Sequence, residues 1–279
     1  MFSYLIRRIA IAIPTLLVVL TLVFVVVRVA PGDPARAVLG DYASQAAVDA
    51  LRERMGLNEP LYAQYGAFLA GLVTGDLGRS MISGVPVARQ IGNALPYTLQ
   101  LTLSGIVLGL LAGIPLGIYT AMRRNTAADY LVRTVSLLGL SFPSFFLGIL
   151  LMLLFSVQLG LFPAVGGGSQ NDPVSILRHL ALPAITLSLI MAAYVTRLSR
   201  SAILNILGQD YVVTARSKGL RRRSVVYKHI LRNALIPIIS IAGIYSIVLT
   251  GGSLVVEVVF SRPGLGRLLV GAMLQRDYI

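Results

Sequence analysis

Cysteine and tryptophan are absent from the chain, and histidine occurs only at His179 and His229. Without cysteine there is no disulfide framework and no thiolate metal site. Two histidines far apart in sequence are a poor basis for a zinc centre. Acidic residues are scarce, 11 against 24 lysines and arginines, and charged residues together make up 13% of the chain. A soluble domain usually carries about 25%. Several motifs are missing as well: no Walker lysine loop, no Gly-x-Ser-x-Gly and no His-Glu-x-x-His. No group that would hydrolyse ATP or perform covalent chemistry is identifiable. The interiors of the apolar segments hold no acid, which disfavours an ion-driven transporter, because these commonly need a buried Asp, Glu or His.

What is present is apolar. Hydrophobic residues make up 56% of the 279 and mean hydropathy is +0.80, which describes an integral membrane protein rather than a basic soluble one. About 20 apolar residues cross the hydrocarbon layer. Five segments approach that length, near Leu5–Val29, 96–121, 134–157, 180–200 with frayed ends, and 233–256. All five are expected to be helices, since lipid leaves backbone polar groups no other partner. The uncharged run Ile9–Val27 exceeds the ~7–15 residues of a signal peptide's apolar region, and no A-x-A site follows it. It reads as a retained membrane helix, with a cleaved signal as the alternative.

Arginine and lysine set the orientation. With the N-terminus inside, the inner segments hold 14 of the 24 basic residues and only Asp129 and Asp210 of the 11 acids. The reverse orientation would place nearly all the excess charge outside. The N-terminus is therefore read as cytosolic, and residues 31–95 as an extracytoplasmic segment between the first two spans. In it, Pro31-Gly32-Asp33-Pro34 ends the first helix, because proline cannot continue one. Ser44–Met55 and Pro60–Val73 carry apolar residues at helical spacing, which predicts a small helical cap. It could be a docking surface or a lid that packs only on itself.

The second span carries Gly105, Gly109, Gly113 and Gly117, four apart and so on one face. Small residues at this spacing let membrane helices approach closely, so the stripe is read as a packing seam; Pro115 could kink the helix there. The third span contains Ser141-Phe142-Pro143-Ser144, read either as pathway lining or as a structural kink. The outer loop Gly166-Gly167-Gly168 has no lysine fingerprint and is not a phosphate loop.

The segment 201–232 is the most charged part of the second half. Asp210 is expected to cap a helix over Tyr211–Lys218, Gly219 to close it in the left-handed conformation, and Leu220 to follow as the apolar contact. A turn at Arg221–Arg223 and a second helix capped by Ser224 complete a helix–glycine–helix elbow. The elbow is expected to expose Ala215 and Gly219, both small enough for another protein to fit against. A plain basic loop held to anionic lipid is the simpler reading, but it has no need of a capped elbow.

The run DYVVTARSKGL followed by HILRNALIP resembles the cytosolic coupling loop, or EAA loop, of type I ABC importer permeases. More narrowly, it resembles the dipeptide, oligopeptide and nickel permease family. Ala30-Pro31-Gly32-Asp33-Pro34, Gly56-Leu57, Gly75-Asp76-Leu77-Gly78, Leu95-Pro96-Tyr97-Thr98-Leu99, Leu182-Pro183 and Pro263-Gly264-Leu265-Gly266 agree in order, and the outer segment resembles that of the first, or "B", subunit. The generic Glu-Ala-Ala reads Val213-Thr214-Ala215 here, as is usual in the peptide branch. The resemblance implies an all-α polytopic permease with an extra N-terminal membrane helix (1–30), the helical outer segment (31–95) and a core (96–279), with a sixth membrane helix beyond residue 279. It implies Asp210, Thr214, Ala215, Lys218, Gly219 and Leu220 as contacts to an ATPase. It also implies a paralogous permease as heterodimer partner, two cytosolic ATP-binding subunits holding ATP and magnesium, and an extracytoplasmic binding protein that delivers substrate. The Pro-Gly-Leu-Gly turn in the outer segment 257–279 motivates the further expectation that Glu257–Asp277 lies at the outer mouth and meets that protein. No cofactor is expected in this chain. The substrate would be a di- or oligopeptide, or alternatively nickel, glutathione or a sugar. An ion-coupled secondary transporter or a membrane scaffold are the rival classes.

Overall fold

The fold is described from a computed structural model, which covers residues 2–29, 32–40, 42–169, 171–277 and 279. The chain divides into two compact units, 1–92 with 269–279, and 93–268. Among the described residues four helices are long and apolar enough to cross a membrane, and a fifth span arises if one sharply bent pair counts as one.

The first unit is built on α1 (Phe2–Val29). Nearly all its side chains are exposed, whereas Phe24 is buried. An uninterrupted apolar surface of this size is untenable in water and suits lipid. Three short helices follow: α2 (Pro34–Leu39), α3 (Gln45–Arg54) and α4 (Leu61–Thr74). Asp33 caps α2 through Ala35 N and Ser44 caps α3 through Ala47 N, each satisfying a backbone donor that the first turn leaves orphaned. Helix α4 lies on the end of α1. The Phe24 ring meets Tyr65 at 5.1 Å and Phe68 at 5.6 Å, and Arg28 Nε donates to Gln64 Oε1 at 2.7 Å. The expected helical cap is therefore present; Pro31, part of the turn expected at its start, lies outside the described residues.

The second unit takes up α5 (Val87–Met122) from residue 93 and adds α6 (Ala127–Ser141), α7 (Ser144–Met152) and α8 (Pro173–Leu207). Next come α9 (Asp210–Ser217), the short α10 (Arg222–Ser224), a π-helical stretch Val225–Leu231, α11 (Arg232–Val259) and α12 (Leu265–Leu274), which runs into the first unit from residue 269. Its main core joins Leu101 of α5, Leu187, Met191 and Val195 of α8, and Ala242, Leu249 and Val256 of α11. The glycine stripe of α5 lies against α8. A Cβ on Gly105 would stand 2.7 Å from Leu187 Cβ, on Gly109 2.4 Å from Met191 Cβ, on Gly113 2.7 Å from Val195 Cβ and on Gly117 2.4 Å from Ser199 Cβ. Thr196 Oγ1 donates across this seam to Gly113 O at 3.3 Å. Pro96 and Pro115 lie inside one continuous helix.

Three sequence expectations are corrected. The third span is not one helix, because α6 and the helix beginning at Ser144 meet at 102°. Pro143 has no amide hydrogen and forces Phe142 out of the helical region; Phe142 sits at φ −86°, ψ 134°. The Phe142 and Phe146 rings stack at 5.3 Å across the corner, and the second limb relaxes into a π-helix over Leu153–Gln158. The fourth span is longer than expected, Pro173–Leu207, and the fifth, Val225–Val259, begins earlier. Charges mark where the hydrocarbon ends, while the helices continue past that level.

Candidate functional site

The charged segment between α8 and α11 folds as an elbow, though not with the caps expected of it. Gln209 is the residue before α9 and makes no side-chain cap, and Asp210 is already helical. Ser224 likewise lies inside a helix that starts at Arg222. The C-terminus of α9 is as expected. Gly219 has φ +75°, Gly219 N donates to Arg216 O at 2.9 Å and Leu220 N to Ala215 O at 3.4 Å. This pair of bonds is a Schellman motif, which satisfies carbonyls the helix end would leave bare. A side chain at Gly219 would meet nothing within 4 Å, so the demand for glycine is conformational and not steric.

The two faces of α9 differ. Val212 and Ala215, three residues apart, are buried with Ile203 of α8 and Val225, Val226, Ile230, Ala234 and Ile238 of the last span. Ala215 is thus not offered on the outside of the elbow, contrary to the sequence reading: it is the point where α9 seats on its own chain, at 6% exposure. The opposite face is open, with Asp210, Thr214, Lys218, Gly219 and Leu220 all exposed. Tyr211, Val213 and Leu220 add large apolar surface there, at 41%, 51% and 42% exposure, beside Arg216 and Lys218. Asn233 Nδ2 donates to the Tyr211 hydroxyl at 2.9 Å and ties α9 to the start of α11. The open face of α9 thus combines exposed apolar side chains with flanking cations on a small helix that has a firm inner seat.

Behind the elbow lies a feature that sequence reasoning missed. Asp129 is fully buried in the first turn of α6 and receives Arg200 of α8 in bidentate fashion, Nε to Oδ1 and Nη2 to Oδ2 both at 2.7 Å. Asn125 N also donates to Asp129 Oδ2, at 3.0 Å. The sequence did hold a signal. Thr126-x-x-Asp129 is a capping-box pattern, and Thr126 Oγ1 accepts from Asp129 N.

A second missed group is at the other end of the unit. Glu257, left in an outer loop by the sequence reading, is fully buried in the last turn of α11. Its Oε2 accepts from Gly266 N at 2.6 Å. Thr98 Oγ1 accepts from Leu265 N at 2.8 Å. Arg262, also fully buried, donates to Gln100 Oε1 at 3.0 Å and stands over the Tyr97 ring at 5.3 Å. Burial lowers the guanidinium's pKa from its usual value. Pro263-Gly264-Leu265-Gly266 is therefore folded inward, with Gly264 and Gly266 buried and Pro263 exposed. Ser141, Phe142 and Pro143 are exposed at the α6–α7 corner and Ser144 is half-buried; Ser141 Oγ donates to Leu137 O at 2.9 Å. Among the described residues no group of His, Asp and Glu could hold a metal ion.

The chain is similar to known proteins along its whole length. Residues 113–279 match the family described as "Binding-protein-dependent transport system inner membrane component". Residues 1–102 match the N-terminal part described for the membrane components of such systems. The chain is 43% identical, over 100% of its own length and 89% of the relative's, to the glutathione transport system permease protein GsiC of Escherichia coli strain K12. It is 42% identical, at the same coverage, to that of Salmonella paratyphi A. In fold it is similar to a chain of the MetNI methionine ABC transporter in inward-facing conformation, at TM-score 0.56 and 21% identity, over 67% of this chain and 81% of that one.

Proposed function

The chain belongs to the family of inner membrane components of binding-protein-dependent transport systems, and from that premise we propose how it works and what it carries. It is the permease of an ABC importer with a type I fold. The cargo is a small peptide, and glutathione, itself a tripeptide, is the first candidate. The observation that carries this choice is 43% identity over the whole chain to a glutathione permease.

The proposed cycle follows from what the chain has and lacks. It pairs with a second, paralogous permease, and the pathway runs between the two. The N-terminus and the α9 elbow face the cytosol, where the basic residues concentrate. The exposed face of α9, with Asp210, Thr214, Lys218, Gly219 and Leu220, docks a separate subunit that holds ATP and magnesium and hydrolyses the nucleotide. Ala215 acts from beneath, fixing α9 to the spans so that a push on the elbow moves α8 and α11 as one body. Such rigid-body motion is how alternating access operates. Substrate arrives from an extracytoplasmic binding protein on the side of the membrane opposite α9. The glycine seam of α5 on α8 gives the moving helices a close-packed contact, and the Ser141–Ser144 corner lies where the pathway is lined.

Reconstitution tests this reading. The permease pair, its ATPases and the binding protein in proteoliposomes should take up labelled glutathione only with ATP inside. Uptake that persists without ATP, or follows an ion gradient, would refute the importer mechanism. ATP-driven uptake of dipeptides with none of glutathione would refute only the choice of cargo.

A further inference from the structure

A cleft of about 190 Å³ opens between α6 and α8 beside the Asp129–Arg200 pair. Arg133, Ser136, Leu137 and Leu140 line it from α6, and Thr196, Arg197, Arg200 and Ser201 from α8. Three guanidiniums therefore meet there against one carboxylate. Arg200 is committed to Asp129. Arg133 and Arg197 are exposed and make no ion pair among the described residues. Their guanidinium carbons stand over the rings of Tyr130 at 5.8 Å and Tyr194 at 5.9 Å.

The level of this cleft is set by the sequence. Arg133 is the last charge before the uncharged stretch that runs from Thr134 to the outer loop, and Arg197 is the first charge after the uncharged stretch ending at Thr196. Both guanidiniums thus stand where hydrocarbon gives way to headgroups, on the same side of the membrane as α9. On the membrane side of Arg133 the cleft is bordered by Leu137 and Leu140 of α6, with Leu137 more than half exposed.

We propose that this cleft is a binding site for an anionic phospholipid. Arg133 and Arg197 hold the phosphate, Ser136 and Ser201 supply hydroxyl donors, and the acyl chains run along Leu137 and Leu140 at the edge of the cleft. Arginine pairs well with phosphate because its planar fork can donate two parallel bonds. Basic pockets between membrane helices at this level suit anionic headgroups. A soluble anion could use the same guanidiniums but would gain nothing from the leucines beside them. The lipid would bridge α6 and α8 next to the buried ion pair and reinforce the same contact.

The test uses the permease purified with its accompanying subunits from membranes containing phosphatidylglycerol and phosphatidylethanolamine. Lipid retained per permease is counted by mass spectrometry after detergent washing. Wild type should keep phosphatidylglycerol through washes that strip phosphatidylethanolamine. Arg133→Gln combined with Arg197→Gln should lower that retention by on the order of tenfold. Leu140→Trp, which fills the cleft and leaves every charge in place, should lower it too and serves where the double variant does not accumulate. Unchanged retention in either variant, or equal retention of phosphatidylethanolamine, would overturn the proposal. So would displacement of the lipid by excess inorganic phosphate, which would assign the site to a soluble anion. The count is read on the permease itself, so its outcome does not depend on whether the subunits transport glutathione.

Discussion

Arg200 and Asp129 join two helices by a fully buried carboxylate and a partly buried guanidinium, in two parallel bonds of 2.7 Å. The geometry matters more than the charge. Removing a charge from water is costly, and a buried pair recovers that cost only when its hydrogen bonds are complete. Here both carboxylate oxygens are used, and Oδ2 also accepts from Asn125 N. The pair fixes where α6 leaves α8, on the side of the unit that carries the elbow.

The pair is most sensitive to losing one partner. Asp129→Leu strands Arg200 and should cost about 3 kcal/mol of stability. Asp129→Leu with Arg200→Met removes both charges and should recover most of that loss. Thermal unfolding of the purified complex, followed as a double-mutant cycle, measures the difference. Equal destabilisation by the single and double variants would show that the pair contributes packing and no electrostatic specificity.

The glycine seam responds to volume. At Gly109 the first added carbon would stand 2.4 Å from Met191 Cβ, a distance that real side chains do not adopt. Gly109→Leu should therefore separate α5 from α8 and lower stability by about 1–3 kcal/mol, the usual range for overpacking. Gly251→Leu is the control, since a Cβ there meets nothing within 4 Å. Thermal unfolding of the two variants side by side should show the loss at Gly109 alone.

At the elbow, conformation and contact can be separated. Gly219 has φ +75° and open space around it. Asparagine tolerates the left-handed region better than other side chains, so Gly219→Asn should keep the α9 fold with a penalty of about 1 kcal/mol or less. Gly219→Glu places a charge on the face proposed to dock the ATPase subunit and should abolish transport while the chain still inserts. Substrate-stimulated ATPase activity and uptake in proteoliposomes are the measurements, and wild-type values of both in Gly219→Glu would refute the coupling role.

Ala215 should behave differently from its exposed neighbours. Ala215→Glu forces a carboxylate into the cluster of Val212, Ile203 and Ile230. Without a partner such a group is strongly disfavoured, so α9 should detach from the spans. Thr214→Glu, one residue away and exposed, should leave α9 seated. Limited proteolysis at Arg216 and Lys218 reads the difference: faster cleavage is expected only in Ala215→Glu.

Much of this protein was legible in the chain itself. Membrane residence followed from apolar runs such as Ile9–Val27, because lipid admits few charges and requires satisfied backbone. The left-handed end of α9 followed from Gly219, because only glycine adopts that conformation without penalty. The facing of Gly105, Gly109, Gly113 and Gly117 followed from their spacing of four. Each is a local rule in which a residue and its near neighbours suffice. The burial of Ala215, the Arg200–Asp129 pair, the inward fold of Pro263–Gly266 onto Glu257 and Thr98, and the right-angled corner at Pro143 were decided only in three dimensions. In the first three, the partner of each group lies on another segment, and a sequence read in order carries no distance between segments. At the corner, Pro143 disfavours the helix locally, but whether the chain kinks or turns through 102° depends on what the second limb packs against.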